Sequence, residues 1–351
     1  MITLGFLSFS IIPILLSLAI VYQIYKEQRS WRELDKRLIS IKANLPFASI
    51  IVPIRGIDVR VEDHIRSLIN QDYPNYEIIY VVDSFEDPIV NILKKYPIKL
   101  IKSNYNCKKC SGKIMAQISG FLESRGEVII FADSDTIYPR HWLRYLVTFL
   151  SIYNATTVFS WPLPSKITFK NLLRAGFWTL GFESQAVGGT FLWGGSMAFK
   201  REFFSTRVIS ELSEEICDDC TLTRLIKESG GRIGFIWSAM PLNLFHETNL
   251  LKWASREVLM IIKHSRRGAK IFIIFVILLI INMLLSAYTF LSFIPLLLWI
   301  FKNILRGKLY LKQSILPAIF SIFAIFFGFF LLLINWNNKE IEWRGRRYIL
   351  E

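Results

Sequence analysis

The sequence predicts an α/β domain, a doubly wound and mostly parallel sheet, carried between α-helical transmembrane segments at both ends. Two patterns support the sheet. Short apolar runs alternate with stretches of helical spacing from Ala48 to Ala132, as parallel strands joined by helical crossovers do. Those runs end in polar residues, Asp83 and Asp133 among them. The third pattern concerns the ends of the chain: residues 1–25, 271–301 and 313–338 contain no Asp, Glu, Lys or Arg. Each stretch exceeds the ~20 residues needed to cross a bilayer core.

The bulk numbers agree. Of 351 residues 52% are hydrophobic, with a formal charge of +14, too apolar a balance for a purely soluble protein. The expected division is a transmembrane helix at 1–25, a juxtamembrane linker at 26–47, a globular domain at 48–248 and an interfacial amphipathic helix at 249–268. A transmembrane region of two or three helices at 269–338 and a polar tail at 339–351, with Arg344, Arg346 and Arg347, complete it. The first stretch lacks the basic start and small-residue cleavage site of a signal peptide. Lys26, Arg29, Arg32, Lys36 and Arg37 follow it, and the positive-inside rule keeps that flank, and the globular domain, in the cytoplasm. The basic excess beside the spans suits an anionic lipid bilayer. No helix-turn-helix or RNA-binding signature accompanies it, so no nucleic acid is expected as a partner. Residues 271–301 would form a straight helix of about 46 Å, too long for one core and short for two, and three or four spans both remain open.

Within the domain, Ala48–Pro53 and Glu77–Val82 read as buried strands, Ile98–Ile101 as a shorter one, and Val61–Asn70, Ile89–Lys95 and Ser111–Ser124 as helices. The last carries Lys113 in its first turn. Val128–Ala132 is the fourth strand and delivers Asp133 and Asp135 at its carboxyl end, where ligands bind in an open parallel sheet. On an extended chain residues i and i+2 point the same way, so both carboxylates can meet one hard cation bearing a diphosphate. No GxGxxG follows the first strand and no GxxxxGK[ST] occurs; a dinucleotide fold and a P-loop enzyme lose their sequence support. Asn171–Ser184 is rich in large apolar residues near helical spacing and reads either as core or as a helix dipping into lipid.

Four cysteines form two pairs, Cys107-Lys-Lys-Cys110 and Cys217-Asp-Asp-Cys220. Their separation is not that of a zinc finger or ribbon. Zinc, local redox pairs and a cross-link stay open beside the favoured reading, free thiols without such a role.

The order of Pro53, then Gln71–Ser84 (QDYPNYEIIYVVDS), then Lys113 before a helix, then Ala132–Asp135 (ADSD), resembles the family 2 glycosyltransferases of GT-A fold. Pro53-Ile-Arg55-Gly-Ile-Asp58 is similar to the first-strand motif of the ceramide glucosyltransferase branch. The resemblance runs from about Ser49 to Arg256 and implies a site. Pro53, Arg55, Asp83, Lys113 and Asp133 would bind the nucleotide sugar, Asp83 accepting the uracil imide N–H. Asp135 with Asp133 would hold Mn2+ or Mg2+. Glu214–Leu222 aligns with the family's Ala-Glu-Asp-Tyr segment, placing Asp218 at its Glu and Asp219 at its catalytic base. Gly195 and Ser196, in the glycine-rich stretch 188–197, would line the sugar pocket with Asp218. The last family motif, (Q/R)xxRW, departs here to Asn249-Leu-Leu-Lys252-Trp253. A register resembling the W..RQ form puts Trp253 at the acceptor opening and Arg256 on phosphate. The activity that the resemblance implies is inverting transfer of a hexose, glucose by preference, from a UDP-sugar to a membrane lipid hydroxyl. A polyprenyl-phosphate glycosyltransferase and a non-catalytic scaffold of the same fold are the alternatives.

Overall fold

The computed structural model describes residues 2–41, 44–343 and 346–349; Arg344, expected in the basic tail, lies outside them. The chain divides into two compact units, one of residues 30–165 and 183–245, the other of residues 1–29, 166–182 and 246–351.

The first unit is built on a seven-stranded sheet. Its strands are β1 (Ala48–Ile54), β2 (Tyr76–Val82), β3 (Lys99–Lys102), β4 (Val128–Ala132), β6 (Ala155–Thr157), β8 (Ser196–Lys200) and β9 (Ile233–Phe235), in the order β3-β2-β1-β4-β8-β6-β9. The pairs β3-β2, β2-β1, β1-β4 and β6-β9 are parallel, and β8 runs antiparallel to β4 and β6. The sheet is therefore mixed and mostly parallel, as predicted. Every residue of β4 is buried, which explains its unbroken apolar run: a strand covered on both faces shows no alternation. The crossover helices are α2 (Val61–Ile69), α3 (Ile89–Leu93), α4 (Gly112–Leu122) and α5 (Trp142–Phe149), followed by α8 (Thr206–Ser213) and α9 (Asp218–Glu228). α4 lies close on the sheet because Gly120 faces Ile51 and Val81, leaving no room for a Cβ. A second sheet joins β5 (Thr136–Ile137), β10 (Leu242–Phe245) and β7 (Trp161–Pro164).

Residues 26–40, expected in a linker, are helical: α1 runs unbroken over Ile2–Ser40. Trp31 explains the order at its carboxyl end. It is fully buried, stacks on Trp237 with ring centroids 5.0 Å apart, and donates its indole N–H to the Ala186 carbonyl at 2.8 Å.

The second unit holds the apolar helices. Among the described residues, three helical stretches are long and apolar enough to cross a membrane: Ser10–Ser40 of α1, whose residues 30–40 belong to the first unit, Arg266–Ala287 around α11 (Arg266–Leu284), and Lys308–Asn335 around α13 (Leu311–Asn335). The ambiguous stretch 271–301 is broken by 3₁₀ turns at Leu285–Ala287 and Phe290–Ser292, and continues as α12 (Phe293–Arg306). At 14 residues, α12 spans about 21 Å, less than a bilayer core. The stretch is therefore two helices joined through 3₁₀ turns, not one continuous helix. The helix α6 (Phe169–Thr179) also belongs here; its Gly176 abuts the α13 backbone at Phe320, the close approach that small residues permit between membrane helices. The unit is completed by α10 (Leu250–His264) and the antiparallel hairpin β11 (Glu340–Trp343) and β12 (Arg346–Ile349); the short α7 (Phe182–Gln185) sits at the boundary in sequence.

Candidate active site

The carboxyl end of β4, the start of α4, the start of α9 and the turn before β8 meet within the first unit. β4 and its continuation place Asp133 and Asp135 half-buried, with Ser134 between them buried and donating to Asp58 Oδ2 at 2.5 Å. Ser134 and Asp135 form a turn between β4 and β5 rather than the extended segment expected. The backbone beyond is tied on three sides. Leu244 N–H donates to the Asp135 carbonyl at 2.7 Å. His64 Nδ1 contacts the Thr136 carbonyl at 2.6 Å and its Nε2 lies 2.9 Å from Tyr80 Oη. Burial lowers the His64 pKa to about 4, so the ring is neutral, donating from Nδ1 and accepting at Nε2. Tyr138 Oη accepts from Asp133 N–H at 2.9 Å and lies 2.7 Å from the Gly195 carbonyl oxygen, to which it donates.

Lys113 stands in the first turn of α4, whose N-cap Ser111 accepts from Ile114 N–H. Its Nζ lies 2.8 Å from Asp133 Oδ1 and 3.2 Å from Asp218 Oδ2. One turn on, Gln117 donates to Asp218 Oδ2 at 2.7 Å. Asp218 and Asp219 open α9, and Asp219 Oδ2 accepts the Gly194 N–H at 2.8 Å. A Cβ on Gly194 would stand 2.8 Å from Lys113 Nζ and 3.2 Å from Asp219 Oδ2. One on Gly195 would strike the Trp193 ring and lie 2.7 Å from Asp133 Oδ2. The paired glycines let a backbone N–H reach the carboxylates where any side chain would intrude.

The charges are unbalanced: one ammonium serves a group of carboxylates. Burial opposes the charge on Lys113, but Asp133, Asp218 and Asp219 outweigh it and raise its pKa. Burial raises the Asp133 pKa; Lys113 opposes this, and the charges of Asp135 and Asp218 add to it. Asp219 is pushed up to about 7, first by burial and then by Asp218, against the pull of Lys113 and the Gly194 N–H. Crowded carboxylates of this kind are relieved by a cation, and two half-exposed oxygen donors two residues apart suit a hard divalent ion.

The other expected residues divide between the units. Asp83 follows β2 and pairs with Arg55, beyond β1, at 3.7 Å; Arg55 is exposed and Asp83 half-exposed. Pro53 sits in β1 beside Val81. Ser196 is fully buried and accepts from Trp142 Nε1 at 2.8 Å, so its hydroxyl braces the sheet rather than facing open space. Trp253 and Arg256 belong to the second unit. There Trp253 packs against Phe177 and Trp178, under the Arg174 guanidinium at 4.5 Å, and Arg256 pairs with Glu257 at 2.6 Å. Sequence reasoning missed Gln117, Tyr138, His64 and the Gly194 N–H. Only Gln117 had a legible signal, since i+4 from Lys113 shares its helix face.

A mixed, mostly parallel sheet covered by crossover helices is the architecture of the GT-A class. The chain belongs to glycosyl transferase family 21, whose family model matches residues 11–351. It is 26% identical over 276 residues to the probable glycosyltransferase YdaM of Bacillus subtilis (strain 168), covering 72% of this chain and 64% of that protein. It is 33% identical over 66 residues to the ceramide glucosyltransferase of Komagataella phaffii, covering 18% of this chain and 13% of that one. The chain thus spans less than two thirds of the length of the curated relatives it matches. Among solved structures, the mannosyltransferase PcManGT of Pyrobaculum calidifontis, in complex with GDP-Man and Mn2+, is similar with a TM-score of 0.48 and 16% identity, over 93% of this chain and 87% of that one.

Proposed function

We propose that the protein is an inverting hexosyltransferase that moves glucose from UDP-glucose to the hydroxyl of a membrane lipid, with the sheet unit on the cytoplasmic side. The observation that carries this reading is the single cluster of Lys113, Asp133, Asp218 and Asp219, with Asp135 beside it. Asp219 is the base. A carboxylate with a pKa of about 7 is matched to accepting a hydroxyl proton near neutral pH. Gly194 N–H fixes one of its oxygens, leaving the other for the acceptor. Lys113 and Gln117 hold Asp218, which positions the sugar. Asp135 and Asp133 would hold Mn2+ or Mg2+, which when bound neutralises charge gathering on the leaving diphosphate. Asp83 accepts the uracil N–H, and Arg55, 3.7 Å away, keeps it in place. Attack from the face opposite the diphosphate inverts the anomeric carbon, giving a β-linked product from an α-linked donor. Trp253 and Arg256 are assigned to the acceptor opening and to phosphate.

The test is transfer of radiolabelled sugar into total lipid extract by detergent-purified protein with Mn2+, using UDP-glucose and other UDP-sugars beside Asp219→Asn. Label in an organic-soluble product from the wild type alone supports the reading, and mass analysis of that product names the acceptor. Metal-dependent UDP binding without transfer to any lipid would instead leave a scaffold.

A further inference from the structure

We propose that Cys217–Cys220 is a reversible disulfide that caps α9 and thereby holds the base in place. The pair closes on itself with Cα atoms 5.4 Å apart, within the range a disulfide spans. Cys217 is the N-cap of α9, so Cys220 occupies N3, and no side chain makes the usual cap hydrogen bond there. N-cap and N3 are the two positions a capping box joins by reciprocal hydrogen bonds. Here a covalent bond joins them, and the two residues it encloses are Asp218 and Asp219. Cys217 Sγ stands 3.0 Å from Asp219 Oδ1. As half of a disulfide that sulfur has no proton to donate, and Oδ1 stays free; as a thiol it becomes a donor to that oxygen. The pair also has the asymmetry exchange requires: Cys217 is buried while Cys220 is half-exposed, so an incoming thiolate reaches one sulfur only.

The chemistry balances with a dithiol as co-reactant. Its thiolate attacks Cys220 Sγ, the Cys217–Cys220 bond breaks, and the second thiol closes the reductant into a cyclic disulfide. Two electrons pass to the cysteines, and the two protons of the dithiol end on the two thiols. The reduced form has a frayed first turn and an Asp219 oxygen engaged by Cys217, and it is the less active form. A second pair, Cys107–Cys110, with Cα atoms 5.7 Å apart, immediately precedes the Ser111 cap of the helix bearing Lys113.

The experiment uses the whole 351-residue chain carrying C107S/C110S beside wild type, equilibrated in buffers of reduced and oxidised dithiothreitol. Mass-resolved maleimide labelling counts free thiols, and hydrogen exchange follows the first two turns of α9. Two thiols should titrate together, and on reduction exchange there should quicken about fivefold, the loss expected of a cap. These readouts need no sugar transfer, so they stand if the proposed function fails. Where transfer is measurable, reduction should slow it about tenfold, the worth of one hydrogen bond to a charged group, and C217S/C220S should not respond to potential. Thiols that stay free in every buffer, zinc released on alkylation, or a disulfide whose reduction leaves α9 exchange unchanged would each overturn the proposal.

Discussion

Among the described residues, two of the buried charge clusters are built on opposite plans. In the unit of apolar helices, Arg306 and Glu27 are both fully buried and meet in two-point fashion, with Arg306 Nη2 2.5 Å from Oε1 and Nε 3.0 Å from Oε2. Arg306 also donates to Asn303. Lys302 beside it donates to Gln23 at 3.0 Å and lies over the Trp299 ring. The Arg306–Glu27 pair is neutral as a pair and well hydrogen-bonded, and a planar guanidinium matches a carboxylate best. The sheet unit gathers Asp133, Asp218 and Asp219 around Lys113, with Asp135 beside Asp133. The cationic residues of the helix cluster are met by a carboxylate, amides and a ring; the sheet cluster sets several carboxylates against one ammonium. An excess of carboxylate is what a cation or a proton relieves.

The sharpest way to break this comparison is Asp219→Asn. Removing a general base costs roughly 10²–10⁴-fold in rate, so kcat should fall by that order while UDP binding and folding persist; an equal loss of UDP binding would reduce Asp219 to a structural acid. Next is Glu27→Ala, which removes the carboxylate that meets Arg306 in two-point fashion. Breaking a buried pair on one side costs about 3–5 kcal/mol. Thermal unfolding in detergent should therefore shift strongly, while E27L/R306M together should recover much of the loss. A divalent ion should do the reverse at the other cluster: Mn2+ should raise the unfolding temperature of the wild type and not of Asp135→Asn, with calorimetry as the check.

The pH dependence sharpens the contrast further. Transfer should rise with pH and level off above about 7 as Asp219 ionises, and the profile should flatten in Asp219→Asn. Stability runs the other way. The folded state holds a proton that the unfolded chain, at its ordinary value of 3.8, has released. This contribution is full below that value and is lost as pH rises through about 7. The smallest effect belongs to Arg55→Ala. Its exposed pair with Asp83 is worth under about 1 kcal/mol, so unfolding should barely move while the affinity for UDP drops.

Much of this was legible in the residues. The apolar runs of β1, β2 and β4 announce themselves because strands buried on both faces need no alternation. Asp133 and Asp135 read as a pair because extended backbone repeats every two residues, and the uncharged stretches read as bilayer-length because only such stretches tolerate lipid. What tertiary structure alone decided lies between distant segments. That Lys113 meets Asp218, that Gly194 lends its N–H to Asp219, and that the turn after Asp135 hangs on His64 and β10 depend on strand order, which local periodicity does not encode. The burial of Arg306 likewise depends on Glu27, a partner supplied by α1. Local composition determines which elements form; proximity in the folded chain determines their charge, and so the pKa of Asp219 that the proposed chemistry uses.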